Sequence, residues 1–287
     1  MVRIPSLLKC LRPAGWIAAL ISLAAACHKP AEFVYVDELQ ESWTQAGSLP
    51  AGAVLGVYVL DEEGNVSFRK TVADKDGNAI LPAPEGGTVI ACTPCLDDWD
   101  ADAVQNNPIF SVKSDQGTLE NYLASDLMMG MSTPSSRKDG QAMTLSHMLC
   151  KVVVNIIDDI GCSDLSQTRV DLLSMYNSVT VDFLGQKVNT VEIKRGDIRM
   201  FSVEASDWRL TSFAIVAPHE MEAGSPFFSV ALFGDNPLTF TIPEGASLEG
   251  GSTFTLSMRI TQQGLIPDGW SITDWENEDE HEIVVIG

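Results

Sequence analysis

From about residue 31 onward, apolar side chains recur at every second position rather than at helical spacing, and that period decides what this chain can fold into. The cleanest run sets Phe254, Leu256, Met258 and Ile260 on one face against Thr255, Ser257, Arg259 and Thr261 on the other. The same alternation sets Val66, Phe68 and Val72 against Ser67, Arg69 and Thr71, and Val179, Val181 and Phe183 against Thr180 and Asp182. It returns in Leu238, Phe240 and Ile242 against Thr239 and Thr241. A strand points successive side chains to opposite faces, so such a pattern buries one set and solvates the other. Turn clusters punctuate the runs: Asp61-Glu62-Glu63-Gly64-Asn65, Asp76-Gly77-Asn78, Glu85-Gly86-Gly87 and Glu249-Gly250-Gly251. Short strands at this spacing specify an all-β chain of β-sandwiches.

Leu145 to Ile157 reads as one strand, with Cys150, Val152, Val154 and Ile156 on its core face and His147 as a hydrogen-bonded edge of that core. Helical signal is confined to Gly117 to Ala124 and Ser163 to Met175, both read as short helices. Ser132 to Gly140 is polar and rich in turn formers, which suits a linker better than a core. It divides the chain into domains at 27–140 and 141–287, preceded by a segment of another character at 1–26.

That segment carries Arg3, Lys9 and Arg12 and then a short apolar run from Trp16 to Ala26, closed by Cys27. Basic start, short apolar stretch and small residues before a cut are the marks of an export signal. A spanning helix needs roughly 20 apolar residues, more than this run supplies. Leu23-Ala24-Ala25-Ala26-Cys27 resembles the bacterial lipobox, so 1–26 is expected to be a cleaved signal peptide and Cys27 the lipidation site, with acyl chains of the palmitate type. An ordinary signal cut near Ala26 is the plainer alternative. Without 1–26 the chain keeps 15 of its 18 Lys and Arg against 39 Asp and Glu. Nucleic acid and anionic membrane surfaces would repel so acidic a protein, which excludes them as partners.

Removing Cys10 with the signal and acylating Cys27 leaves Cys92, Cys95, Cys150 and Cys162. In an exported protein these read first as one or two disulfides, whose three full connectivities the sequence does not separate. Cys92-Thr93-Pro94-Cys95 has the spacing of zinc knuckles and thiol oxidoreductases, but a redox pair should open a helix that lowers the thiol pKa. Here the segment after Pro94 reads as an acidic loop, and no second pair completes a zinc site.

Other motifs fail on chemistry. Asp74-Lys75-Asp76-Gly77-Asn78 opens like a calcium loop with Glu85 at its twelfth place, yet Ala79 stands where glycine is needed, and Pro82 and Pro84 forbid the exit helix. Asp98, Asp100 and Asp102 lack the glycine and the closing glutamate. Arg195-Gly196-Asp197 spells a receptor-binding tripeptide but reads as a turn between two strands. The histidines form no metal spacing, and no hydrolase elbow, phosphate loop or dinucleotide fingerprint is present, so no catalytic residue, metal site or cofactor is expected. Trp43, Trp99, Trp208, Trp270 and Trp275 could form a sugar-stacking platform, giving a surface glycan-binding lipoprotein as the rival function.

Four segments together resemble the fimbrillin-like (Mfa-like) family: Leu49 to Leu60 with its following turn, Ser125-Asp126-Leu127-Met128-Met129-Gly130, Leu145 to Ile156, and Ile272-Thr273-Asp274-Trp275. The resemblance implies two transthyretin-like β-sandwich domains in tandem and a non-enzymatic lipoprotein of the outer membrane that assembles into, anchors or tips a type V pilus. It implies other pilus subunits as partners through strand donation, the membrane as partner through the lipid, and a host surface protein or glycan as an adhesion target. Between Pro30 and Phe68 there is no Lys or Arg, so trypsin-like removal of a first strand at Phe33 to Val36 is not expected.

Overall fold

The alternating runs form strands in the structure, a computed structural model. It describes residues 49–283 apart from 51, 76, 78, 80, 82–85, 136–142, 160–164, 194, 207–208, 233–236, 243–245, 263 and 276–280. The strands of the first half are β1 (Val54–Leu60), β2 (Val66–Val72), β3 (Thr88–Thr93), β4 (Ile109–Ser111), β5 (Met128–Ser132) and β6 (Met143–His147). The central ones are β7 (Cys150–Asp158), β8 (Arg169–Tyr176), β9 (Ser178–Asp182), β10 (Lys187–Thr190), β11 (Arg195–Arg199), β12 (Phe201–Ser206) and β13 (Arg209–Val216). The last are β14 (His219–Glu220), β15 (Pro226–Ala231), β16 (Leu238–Thr241), β17 (Ser247–Leu248), β18 (Ser252–Thr261), β19 (Gly264–Asp274) and β20 (His281–Ile283). Helical elements among the described residues include α1 (Ala103–Asn106), α2 (Leu119–Leu123) and a 3-10 turn at Leu165–Gln167.

Four larger sheets result, ordered β2-β1-β3-β5-β6-β20, β12-β13-β7-β18-β19, β11-β8-β15-β16 and β10-β9-β4. β18 runs parallel to β7, and the other strand pairs are antiparallel. The alternation of β18 appears as expected: Phe254, Leu256, Met258 and Ile260 are buried and the residues between Leu256 and Thr261 on the other face are half-buried. β7 is central and buries both faces, so Lys151 and Asn155 are enclosed along with Cys150, Val152, Val154 and Ile156. β2, an edge strand, is looser, and Val72 is exposed despite its place in the apolar alternation.

One continuous core joins these sheets. Tyr58 of β1 meets Phe183, just after β9, with ring centroids 4.9 Å apart, and Trp99 meets the same ring edge-on at 5.4 Å. The cluster continues through Val152 and Val154 of β7 to Phe228 and Phe254. Each such side chain contributes roughly 1.5–3 kcal/mol on full burial. A second cluster covers the opposite face of β1, β3, β5 and β6 and includes Leu55, Val57, Val89, Ala91, Met128 and Leu145.

Three local expectations are corrected. Ser163 to Met175 is not a helix: after the 3-10 turn it becomes β8, because Val170 and Leu172 face the core on alternate positions from Arg169 and Asp171. The apparent helical spacing arises at Ser174, whose φ of 55° makes a bulge that returns Met175 to the core. Arg195-Gly196-Asp197 is not a turn but the start of β11, and Asp197 accepts a hydrogen bond from the Ser174 amide, pinning that bulge. Leu145 to Ile157 is two strands, β6 and β7, interrupted at Met148-Leu149. Ser132, where the expected linker starts, is the last residue of β5, and β5 and β6 are neighbours in one sheet with Met128 opposite His147 and Met129 opposite Ser146. β20 joins that same sheet, while β4 pairs with β9, so strands are exchanged across position 140 in both directions.

Candidate functional site

Three segments far apart in the chain meet where β5, β6, β7 and β19 approach one another. α2 begins at Thr118, whose side chain caps the Asn121 amide. At the far end of α2, Ser125 donates to the Asn121 carbonyl and accepts from the Lys113 amide, which orients the residue that follows. Asp126 thereby places its carboxylate 2.9 Å from Nδ1 of His147, the last residue of β6. The imidazole lies flat against the indole of Trp275, with centroids 3.8 Å apart and planes 7° from parallel. Lys151, the second residue of β7, holds its ammonium 5.3 Å from the centre of the same indole. Lys151, His147 and Trp275 are all buried. A cation over an indole in such surroundings gains about 1–2 kcal/mol.

Backbone bonds close the junction. Met148 donates to Leu127, Gly251 to Leu149, and Trp275 to Gly251, at 2.8–2.9 Å. The break between β6 and β7 therefore reflects pairing with other segments, not loss of order. Gly250 is required here, because a Cβ at that position would lie 2.7 Å from the Met148 carbonyl oxygen. Beside the junction opens a cleft of about 570 Å³, lined among others by Met131, Thr144, His147, Met148, Lys187 and Gly251. The His147–Asp126 pair has the outline of a base and its orienting acid, but Trp275 covers the ring and the His147 side chain is only 4 % exposed. The arrangement suits a mechanical clamp better than proton transfer to a substrate.

The residues singled out in sequence are dispersed. Cys27 lies outside the described residues, as do Cys162, Trp43, Trp208 and the segment at Phe33 to Val36. Cys150 is buried on β7 with Sγ 3.7 Å from the Ser252 hydroxyl, and burial pushes its thiol up to about 12. Native Cys150 is therefore expected to alkylate at least about 100-fold more slowly than in the unfolded chain. Timed alkylation with peptide mass analysis checks this, and rapid native labelling would contradict the assigned face. Trp99 belongs to the core and Trp275 to the junction, whereas Trp270 is 42 % exposed on β19, so the described tryptophans make no shared platform.

Arg195 spreads its guanidinium over Tyr176 at 4.0 Å, and His219 meets the same tyrosine ring edge-on at 5.0 Å. Burial lowers the His219 pKa. Asp76, Asn78 and Glu85 of the first acidic motif lie outside the described residues. In the second, Asp100 caps the Asp102 amide at the start of α1. Among the described residues no three His, Cys, Asp or Glu side chains gather as a metal site, and no helix is long and apolar enough to cross a membrane.

Gln116 carries no signal in the sequence, yet it is fully buried and bonds both backbone groups of Ile215. Only the long-range pairing of a loop with β13 reveals it.

The fold resembles that of a candidate cell-adhesion protein from Bacteroides uniformis ATCC 8492, with TM-score 0.60, 18 % identity, and coverage of 81 % of this chain and 95 % of the other. A second candidate cell-adhesion protein, from Bacteroides ovatus ATCC 8483, gives TM-score 0.59 and 13 % identity over 80 % of this chain and 89 % of the other. The tip fimbrial protein Mfa3 from Porphyromonas gingivalis, with C-terminal truncation, is more distant, at TM-score 0.48 and 12 % identity over 78 % and 95 %. A comparison with curated protein sequences gives no match. The Fimbrillin-like family profile matches residues 55–275, a span that contains the Asp126–His147–Trp275 junction and nearly all of the strands, and the chain belongs to that family.

Proposed function

We propose that this protein is a non-enzymatic fimbrial lipoprotein of the outer membrane, surface-exposed and held by a lipid on Cys27, that acts in pilus assembly, anchoring or adhesion. The observation that carries this reading is the Fimbrillin-like match over 55–275. Sheet edges support it. β19 is an eleven-residue edge strand on which Ile266, Trp270 and Ile272 are each about 40 % exposed. An exposed apolar edge of this length is an open template for a strand from a neighbouring subunit. The two transthyretin-like units belong to the same reading, with β6 and β20 serving the first unit and β4 the second, so that the exchanged strands couple the two.

The tether is tested by expressing Cys27→Ser in a Gram-negative host that processes lipoproteins. The variant is expected to lose fatty-acid labelling and to leave the membrane fraction. Unchanged membrane association would defeat the lipid anchor and with it the proposed attachment.

A further inference from the structure

β1 and β3 pair with Gly56 directly opposite Cys92. The space that a side chain on Gly56 would fill is taken by sulfur: a Cβ there would lie 2.8 Å from Sγ of Cys95 and 3.2 Å from Sγ of Cys92. Two sulfurs so close to one point are within about 6 Å of each other. The chain after β3 is strapped onto β1, since the Cys95 amide and the Thr93 hydroxyl both donate to the Val54 carbonyl, at 3.3 and 3.1 Å. Both are free thiols here, Cys92 buried and Cys95 half-buried. Lys70 sits beside them, bonded to the Leu96 carbonyl at 3.2 Å and to Asp97 at 3.1 Å. Burial raises the Cys95 pKa, and the Lys70 charge opposes that rise. Cys150 is engaged elsewhere, with Ser252.

We propose that Cys92 and Cys95 form a closable dithiol, which a small disulfide oxidant such as oxidised glutathione converts to an intramolecular disulfide, with Cys95 as the attacking thiol. The half-buried Cys95 gives up its proton, and its thiolate attacks one sulfur of the oxidant. The oxidant's S–S bond breaks, one glutathione thiolate leaves, and a mixed disulfide remains on Cys95. Cys92 then loses its proton, and its thiolate attacks Cys95 Sγ and expels the second glutathione thiolate. Two protein thiols have lost two electrons, one small disulfide has gained them, and the two protein protons end on the two released thiols. Closure brings the sulfurs to a bond length of about 2.05 Å, and the lack of a side chain at Gly56 is what lets both of them crowd the same point. The product ties down the loop that leads to Trp99, which is buried near Phe110 and Phe183.

The folded full chain, reduced and freed of reductant, is treated with oxidised glutathione, quenched with iodoacetamide and mapped by mass spectrometry. The peptide holding both cysteines is expected to lose two hydrogens reversibly. Cys92→Ser should stop at a glutathione adduct on Cys95, and Cys95→Ser should react at least about 10-fold more slowly. Gly56→Ala, whose methyl occupies the meeting space, should slow closure about 10-fold or more while the β-rich circular dichroism is kept. A stable glutathione adduct on unsubstituted protein, pairing of either cysteine with Cys150 or Cys162, or closure of Gly56→Ala at the original rate would overturn the proposal. The unsubstituted protein decides the matter even where a variant does not fold.

Discussion

Replacing Gln116 by leucine is expected to destabilise the protein by about 3–5 kcal/mol, far more than a loop substitution ordinarily costs. β12 begins at Phe201, opposite Phe213, whereas β13 runs on to Val216, so on the side away from β7 Ile215 has no strand partner among the described residues. The carboxamide of Gln116 takes that place. Its Oε1 accepts from the Ile215 amide at 2.9 Å, and its Nε2 donates to the Ile215 carbonyl at 2.8 Å and to Lys113 at 3.1 Å. The neighbouring backbone is held the same way, for Gln116 donates to Arg199 and Arg199 to Ser114. At Met200 the chain passes from the β11 sheet to the β12 sheet, and this loop fills the corner between them.

Leucine fills similar volume but leaves a buried amide and two carbonyls without these partners, at about 1–3 kcal/mol for each. Gln116→Glu separates hydrogen bonding from shape. At neutral pH its carboxylate faces two carbonyl oxygens in a fully buried site, so its folded-state pKa rises above the unfolded value. The folded state then binds more protons, and stability of this variant should rise as pH falls from 7 towards the unfolded glutamate pKa of about 4.3. Denaturant midpoints at several pH values check both variants. A leucine variant within about 0.5 kcal/mol of the parent would show that the loop bears no such burden.

Gln116 also marks where sequence reading ends. The strands were legible because one buried face imposes period two, as along Phe254 to Ile260. Hairpin chemistry was legible too: Asp61-Glu62-Glu63-Gly64-Asn65 joins β1 to β2, and the Asp61 carboxylate accepts from the Asn65 amide and side chain. These bonds hold the Asp61 pKa below its ordinary value. What misled was local irregularity. A single positive φ at Ser174 shifts the β8 pattern enough to imitate a helix. The interruption at Met148-Leu149 is caused by Leu127 and Gly251, about 20 and 100 residues away, and no window along the chain contains all of them. His147 as a hydrogen-bonded edge of the core was readable from its place among apolar neighbours, but its partners Asp126 and Trp275 were not. Those partners lay within segments already noted for their resemblance to fimbrillin-like proteins, which are now seen to share one physical task.

That task is exposed by Trp275→Ala, which is expected to cost about 3–5 kcal/mol, the range for removing a buried aromatic. The indole is 2 % exposed, and its loss opens a void against His147 and removes the π-face beneath the buried Lys151. Phenylalanine restores a flat apolar ring with less area, so Trp275→Phe should recover more than half of the loss. In a double-mutant cycle with His147→Ala, the stacked pair should show a coupling of about 1 kcal/mol. Position also matters. Trp275 directly follows β19, and it comes shortly before β20 pairs with β6, where His281 lies opposite Leu145. Releasing the clamp should therefore loosen the pairing of β6 with β20 before the centre of β7 is affected, because β7 is held on both sides by β13 and β18. Hydrogen exchange of the alanine variant is expected to accelerate over Met143 to His147 and to remain slow over Val152 to Ile156. Equal acceleration of both segments would mean that Trp275 supports the core as a whole, and an unchanged denaturation midpoint would mean that the junction holds nothing.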